Sequence, residues 1–158
     1  MREVPYRNAA WGFAEFSDNS IEAGATIIEM IFREGERSSV YDEVTHMCNS
    51  HGIHHAWLKY AMSWGGTTRD KETRDKYMGE DEVGSLGRFG FGMPSAALWM
   101  ARKWTVYTRA DGEEDIYKCT FDLDLFIEKL QTATSTDELH EIIQPQKAQL
   151  PKWILNKT

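Results

Sequence analysis

The 158-residue sequence has few cysteines and no long apolar run, and both absences limit what the chain can be. Two cysteines, Cys48 and Cys119, allow at most one disulfide, and without an export signal we expect free thiols in a reducing, cytoplasmic compartment. No apolar run approaches the roughly 20 residues that cross a bilayer, so we expect no membrane association. The first eight residues are polar and do not resemble a signal peptide.

The sequence also lacks an excess of positive charge. It has 18 Lys and Arg against 25 Asp and Glu, a formal net charge of -7. This balance argues against nucleic acid as the partner, although a local basic patch is compatible with it. The length fits one domain spanning 1–158, and the ordinary counts of 12 glycines and 4 prolines give no reason to expect disorder.

The first half of the chain predicts a helix, two strands and a second helix. Asn8 can cap a helix that runs to Ala23, and Gly24 supplies its left-handed end. Composition and periodicity predict the next elements, which are a buried strand over 25–32, a weaker strand over 40–47, a turn over 48–52 and a helix over 54–64.

The predicted first helix has two distinct faces at about 100° per residue. Its expected apolar face consists of Ala10, Phe13, Ala14, Ser17 and Ile21. Its polar face consists of Glu15, Asp18, Asn19 and Glu22. A solvated surface would also produce a polar face. Asn19 is a poor helix former, however, and Asp18 lies beside it in mid-helix, which favours a face that binds a ligand or metal through short oxygen-bearing side chains.

The middle of the chain joins a charged stretch to a glycine-rich segment. Glycines at 84, 87, 90 and 92 precede Pro94 and a predicted helix over 94–102. A glycine loop that leads into a helix N-terminus suits a phosphate, although a plain glycine-rich turn has the same pattern. The charged residues before it predict a lid-like loop over 66–86, or equally a surface loop without that role.

The second half predicts a hairpin and a small helical region. Asp111-Gly112 is a strong hairpin signal between strands over 104–109 and 115–123. Ser135 and Glu138 have the spacing of a capping box for a helix over 136–143. The other expectations are a short helix over 124–131 and a loop-like tail that docks through Trp153, Ile154 and Leu155. Helices and strands do not alternate strictly, so an α+β two-layer sandwich is favoured.

Two motifs, about seventy residues apart, resemble those of the GHKL ATPases. They are Glu15-Phe16-Ser17-Asp18-Asn19-Ser20 and Gly87-Arg88-Phe89-Gly90-Phe91-Gly92, the latter followed by Ser95-Ala96-Ala97. This superfamily includes DNA gyrase, the ninety-kilodalton heat-shock chaperones, histidine kinases and mismatch-repair ATPases, and the motifs look most like microrchidia-like and heat-shock-chaperone-like domains. The resemblance implies a Bergerat fold, in which helices cover one face of a mixed sheet and ATP lies between the helices and a lid.

The resemblance also implies roles for individual residues. Glu15 would be the general base, Asn19 would bind Mg²⁺, and Glu22 would line the ATP pocket. Gly52 would belong to the adenine-binding turn. The phosphates would be wrapped by Gly87, Arg88, Phe89, Gly90, Phe91 and Gly92. The implied function is slow, Mg-dependent ATP hydrolysis that switches the interface with a protein partner or a second copy of the chain.

Departures from the family pattern support an alternative function. Cys48 stands where the family has an adenine-binding aspartate, and Ser50 replaces the first glycine of the turn. A thiol is a weak acceptor, and losing a charged hydrogen bond costs about 1.5–3 kcal/mol unless Asn49 or a bridging water compensates. The chain also has no glycine after Gly112 for the family's late Gly-Thr pair. The alternative is therefore a nucleotide-binding-impaired relict that serves as a non-catalytic interaction module.

A group of potential zinc ligands surrounds the same turn. It consists of His46, Cys48, His51, His54 and His55. Cysteine and histidine are zinc ligands, but this spacing matches no standard finger. We therefore expect a helix start with exposed histidines rather than a metal site.

Overall fold

A computed structural model describes residues 8–34, 41–63, 92–135, 138–139 and 141–155. Its helices and strands, in chain order, are α1 (Ala9–Glu22), β1 (Ile28–Glu34), β2 (Tyr41–Cys48), α2 (His55–Ala61), α3 (Gly92–Met100), β3 (Lys103–Thr108), β4 (Ile116–Asp122), α4 (Leu123–Thr132), β5 (Gln146–Ala148) and α5 (Lys152–Leu155). These elements confirm the α+β class. The expected lid over 66–86 and the glycine segment over 87–91 lie outside the described residues.

The described strands form two antiparallel sheets. β1 pairs with β2, with Ile28 opposite Cys48, and the second sheet has the order β3-β4-β5. In that sheet Lys103 lies opposite Asp122 and Ile116 lies opposite Ala148. None of the pairings between described strands is parallel, so the expected mixed sheet is not formed by these residues.

The hydrophobic core lies between α2 and the inner face of the second sheet. Leu58 of α2 and Met62, which follows the last residue of the helix, are fully buried against Cys119 and Phe121 of β4. Successive strand residues point to opposite faces, so Lys118 and Thr120 of β4 point away from this core. Burying one large apolar side chain stabilises the fold by about 1.5–3 kcal/mol, so these four residues anchor α2 on the sheet.

The buried face of α1 differs from the prediction, which was wrong about Ala10, Ala14 and Ile21. These three residues are exposed, and the buried positions of α1 are Gly12 and Ser20. A Cβ on Gly12 would lie 3.1 Å from Met100 Sδ at the end of α3. α1 and α3 approach each other closely where α1 has small residues. The small size of these residues, rather than their hydrophobicity, therefore determines which face of α1 is buried.

The C-terminal region is more ordered than the predicted loop. β5 adds a third strand to the second sheet, and Ile154 of α5 is buried. Arg33 Cζ lies 4.8 Å from the centre of the Trp153 ring, which ties α5 to β1. Leu155, in contrast, is 51% exposed, so its predicted docking was wrong.

The predicted capping box is displaced by one residue. The Glu138 carboxylate accepts hydrogen bonds from the Thr134 hydroxyl at 2.7 Å and from the Thr134 N–H at 3.3 Å. The local signal therefore identified the correct glutamate but the wrong partner. Separately, none of the helices in the described part of the chain combines the length and apolar composition needed to cross a bilayer.

Candidate functional site

The Glu15 side chain of α1 reaches the first residue of α3. A Cβ placed on Gly92 would lie 2.5 Å from Glu15 Oε2 and 3.5 Å from its Cδ, so the carboxylate rests against bare backbone. The N-terminus of a helix carries a partial positive charge that favours a carboxylate there. The fold thus brings the predicted general base to the last glycine of the predicted phosphate-binding segment.

The other polar residues of α1 are divided between two environments. Asn19 follows Glu15 by four residues, lies on the same face and is half-buried, as Glu15 is. Asp18 and Glu22 are exposed. The inner side of α1 therefore presents a carboxylate and a carboxamide one turn apart, which are oxygen donors of the kind that Mg²⁺ prefers.

Cys48, at the end of β2, faces the inner side of α1. Its Sγ lies 3.3 Å from Ser50 Oγ, and Ser20 of α1 is a second hydrogen-bonding neighbour. Partial burial raises the pKa of the Cys48 thiol, but the hydrogen bonds with Ser20 and Ser50 outweigh this effect and leave the pKa below its ordinary value. Cys48 is therefore the more reactive of the two free cysteines.

Asn49 cannot replace the missing aspartate in the observed arrangement. Its Oδ1 accepts hydrogen bonds from the N–H groups of Thr26 at 2.9 Å and Ile27 at 2.8 Å, and its Nδ2 donates to Thr26 Oγ1. A carbonyl oxygen has two lone pairs, and both are used here. Asn49 instead fixes the turn to the residues that precede β1.

Gly52 has a position that no other residue would fill without strain. Its φ is 76°, and a Cβ there would overlap the backbone carbonyl of Arg109. The next residue, Ile53, donates its N–H to Thr108 Oγ1 at 2.7 Å and accepts from the same hydroxyl at 3.1 Å. The predicted turn is thus held against the end of β3, and Thr108 is a supporting residue that sequence reasoning missed.

The prediction that the histidines at the start of α2 are exposed was wrong. His54 and His55 are half-buried and both contact Glu113, which lies in the β3–β4 hairpin. Of the other proposed zinc ligands, His46 lies against Phe16 of α1, with ring centres 5.9 Å apart. The sequence pointed to a cluster at this turn, but Glu113 is distant along the chain and only the hairpin brings it there.

His46 gives the fold a pH dependence that can be measured. Its Nε2 is buried, and no described residue forms a hydrogen bond with it. Burial lowers the pKa of His46, and a hydrogen bond to its own backbone only partly opposes this shift. The folded state therefore favours neutral His46, so this contribution to stability is present above the unfolded pKa of about 6.5 and is lost as the pH falls below it.

We expect the free energy of unfolding of the wild-type chain to fall more steeply between pH 7 and pH 5 than that of His46→Gln. Urea unfolding of both proteins at the two pH values measures the difference. Equal slopes would show that the buried Nε2 does not oppose protonation.

The two thiols should differ strongly in reactivity. Burial raises the pKa of Cys119 to about 11, whereas Cys48 is exposed and has a lowered pKa. A thiol of ordinary pKa already has a thiolate fraction about a hundredfold larger than that of Cys119 at pH 8, so iodoacetamide should label Cys48 at least about a hundredfold faster. Peptide mass spectrometry checks this, and the urea-unfolded chain, where both should react alike, is the control. Comparable labelling in the folded protein would contradict the assigned environments.

A family model described as histidine kinase-, DNA gyrase B-, and HSP90-like ATPase matches residues 9–150. The match covers α1, the turn at Gly52 and α3, the elements that carry the arrangement described above. No curated protein matches the chain.

Proposed function

Because this chain belongs to the family of histidine kinase-, DNA gyrase B- and HSP90-like ATPases, we propose that it binds MgATP between α1 and the glycine segment and hydrolyses it slowly. Membership of this family indicates ATP binding, and its members usually bind ATP with Mg²⁺. The observation that carries the proposal is the contact between the Glu15 carboxylate and the Gly92 backbone. It brings one residue of each motif into contact.

In this proposal Glu15 acts as the general base. A half-buried carboxylate beside a helix N-terminus can accept a proton from a water molecule aligned with the terminal phosphate. Asn19 would supply a carboxamide oxygen to Mg²⁺ one turn away, and the bound ion would neutralise phosphate charge. The amides at the start of α3 are suited to the phosphate oxygens.

The remaining pocket residues keep the roles that the family resemblance implies. Glu22 would line the pocket and Gly52 would shape the adenine turn. The segment Gly87-Arg88-Phe89-Gly90-Phe91, with 66–86 as a lid, would close over the phosphates. We further propose that closure orders an interface with a protein partner or a second copy of the chain, so that slow hydrolysis resets a conformational switch.

Isothermal titration calorimetry tests MgATP binding. We expect saturable heat corresponding to one MgATP per chain, and weaker binding when EDTA removes the metal. Circular dichroism of the same sample establishes that the chain is folded. Absence of heat from folded protein at high concentration would refute the proposal.

A second candidate function is a relict domain that acts as a non-catalytic interaction module. It is favoured by Cys48 at the adenine-binding position and by the engagement of Asn49 with Thr26 and Ile27. This function predicts no phosphate release above that of a Glu15→Ala control. A wild-type rate clearly above that control excludes it.

Replacement of Cys48 shows whether the chain has an adenine pocket that lacks only its hydrogen-bond acceptor or has no adenine pocket at this position. If only the acceptor is missing, Cys48→Asp should tighten MgATP binding about tenfold to a hundredfold, equivalent to about 1.5–3 kcal/mol. Cys48→Ser, which adds no charge, is the matched control and should bind as the wild type does. Titration calorimetry of the three proteins measures this. Unchanged affinity of Cys48→Asp would show that position 48 does not contact the adenine.

A further inference from the structure

We propose that His54, His55 and Glu113 form a binding site for a divalent transition-metal ion of the zinc class. One potential ligand atom from each residue lies within 4.8 Å of the other two. His54 Nε2 is 3.5 Å from Glu113 Oε1, and His55 Nδ1 is hydrogen-bonded to the same oxygen. The proposal depends on these contacts alone and is independent of the proposed ATPase function.

The carboxylate of this cluster is held in place before any ion binds. Glu113 Oε2 accepts a hydrogen bond from Ala110 N–H at 3.2 Å, and Oε1 accepts one from His55 N–H at 3.4 Å. Its side chain is only 11% exposed. Hydrogen bonds that orient a ligand from outside the coordination shell strengthen metal binding. The Glu113 carboxylate is therefore already oriented to act as a metal ligand.

The two imidazoles are also restrained by their neighbours. The rings of His54 and His55 have centres 4.4 Å apart, and His55 stacks on Tyr117 of β4 at 4.6 Å and 20°. Stacking limits ring rotation, so little side-chain freedom remains to be lost when an ion binds. His55 is nevertheless 43% exposed, which leaves a path for the ion and for a water ligand.

Binding requires a local exchange at both imidazoles. His54 Nδ1 accepts a hydrogen bond from Ala56 N–H at 3.2 Å, so the neutral ring carries its proton on Nε2. An ion at Nε2 would require that proton to move to Nδ1 and the bond with Ala56 to break. His55 Nδ1, which is hydrogen-bonded to Glu113 Oε1, must likewise lose any proton it carries to its own Nε2 or to solvent before it can coordinate. Metal–ligand bonds therefore replace the hydrogen bonds that the two imidazoles make with Ala56 and Glu113.

The donor set selects the type of ion. Two imidazole nitrogens and one carboxylate oxygen suit zinc and its transition-metal neighbours, whereas Mg²⁺ and Ca²⁺ prefer oxygen ligands. Three protein ligands leave a fourth tetrahedral position for water. The ion would clamp the start of α2 to the β3–β4 hairpin, beside the turn that contains Gly52.

Competition of Zn²⁺ between the metal-free full chain and a chromophoric chelator tests the proposal. We expect one tight equivalent per chain. His55→Gln and Glu113→Gln should each weaken it at least about tenfold, because even changes outside the coordination shell have effects of this size. His51→Gln is the matched control, since it removes a histidine of the same turn, and should bind as the wild type does. The proposal is overturned if no tight equivalent exists, if both ligand variants bind normally, or if His51→Gln weakens binding equally.

X-ray absorption of the wild-type chain loaded with one Zn²⁺ supplies a test that no folding defect of a variant can affect. The expected spectrum has imidazole scattering and light nitrogen or oxygen ligands only. A zinc–sulfur distance would assign the ion to a cysteine and contradict the proposed ligands.

Discussion

Replacing Glu15 with glutamine should lower the ATP turnover number about 10²–10⁴-fold, the usual contribution of a positioned general base. MgATP affinity should change little, because glutamine keeps the size of the side chain and its contact with the Gly92 backbone. Steady-state phosphate release measures the turnover number, and titration calorimetry measures the affinity. A lower turnover number with unchanged affinity indicates loss of the general base, whereas a lower affinity indicates loss of nucleotide binding.

Glu29→Gln is the matched control for this experiment. Glu29 is an exposed glutamate on β1, so its replacement makes the same chemical change away from the Glu15–Gly92 contact. Its turnover should equal that of the wild type. If Glu15→Gln retains wild-type turnover while binding MgATP, Glu15 is not the base.

The second large effect is expected from Gly92→Ala, which should lower turnover about 10²-fold with little change in stability. The added Cβ would lie 2.5 Å from Glu15 Oε2, so the carboxylate must move. Moving the end of a flexible side chain costs little, and alanine favours the helix that starts here. A displacement of about 1 Å at a catalytic group can still cost a factor of 10² in rate.

The double variant Glu15→Gln/Gly92→Ala shows whether the two residues act through one contact. If Gly92 matters only because it positions Glu15, the double variant should be no slower than Glu15→Gln alone. Urea unfolding of all four proteins checks that stability is preserved. Fully additive rate losses would mean that Gly92 acts independently of Glu15.

Features governed by local backbone rules could be predicted from the sequence. Gly24, Gly52 and Gly112 all have positive φ, at the helix end, turn and hairpin where their sequence contexts predict it. Helical spacing predicts that Glu15 and Asn19 share one face of α1, and both are half-buried there. Such signals depend on neighbours in the chain, so one sequence is sufficient to recognise them.

Features governed by distant contacts could not be predicted. The packed face of α1 depends on how closely Met100 approaches Gly12, which no periodicity in α1 reveals. The two half-buried histidines of α2 owe their environment to Glu113, which only the folded hairpin brings near. Asn49 likewise gains its partners only when β1 and β2 pair.

The most direct test of MgATP binding between α1 and α3 is a crystal structure of the chain with Mg²⁺ and a non-hydrolysable ATP analogue. We expect the terminal phosphate to lie between Glu15 and the start of α3, with Asn19 coordinating Mg²⁺ and the adenine beside Cys48 and Gly52. A nucleotide bound elsewhere, or a terminal phosphate far from the Glu15 carboxylate, would contradict it.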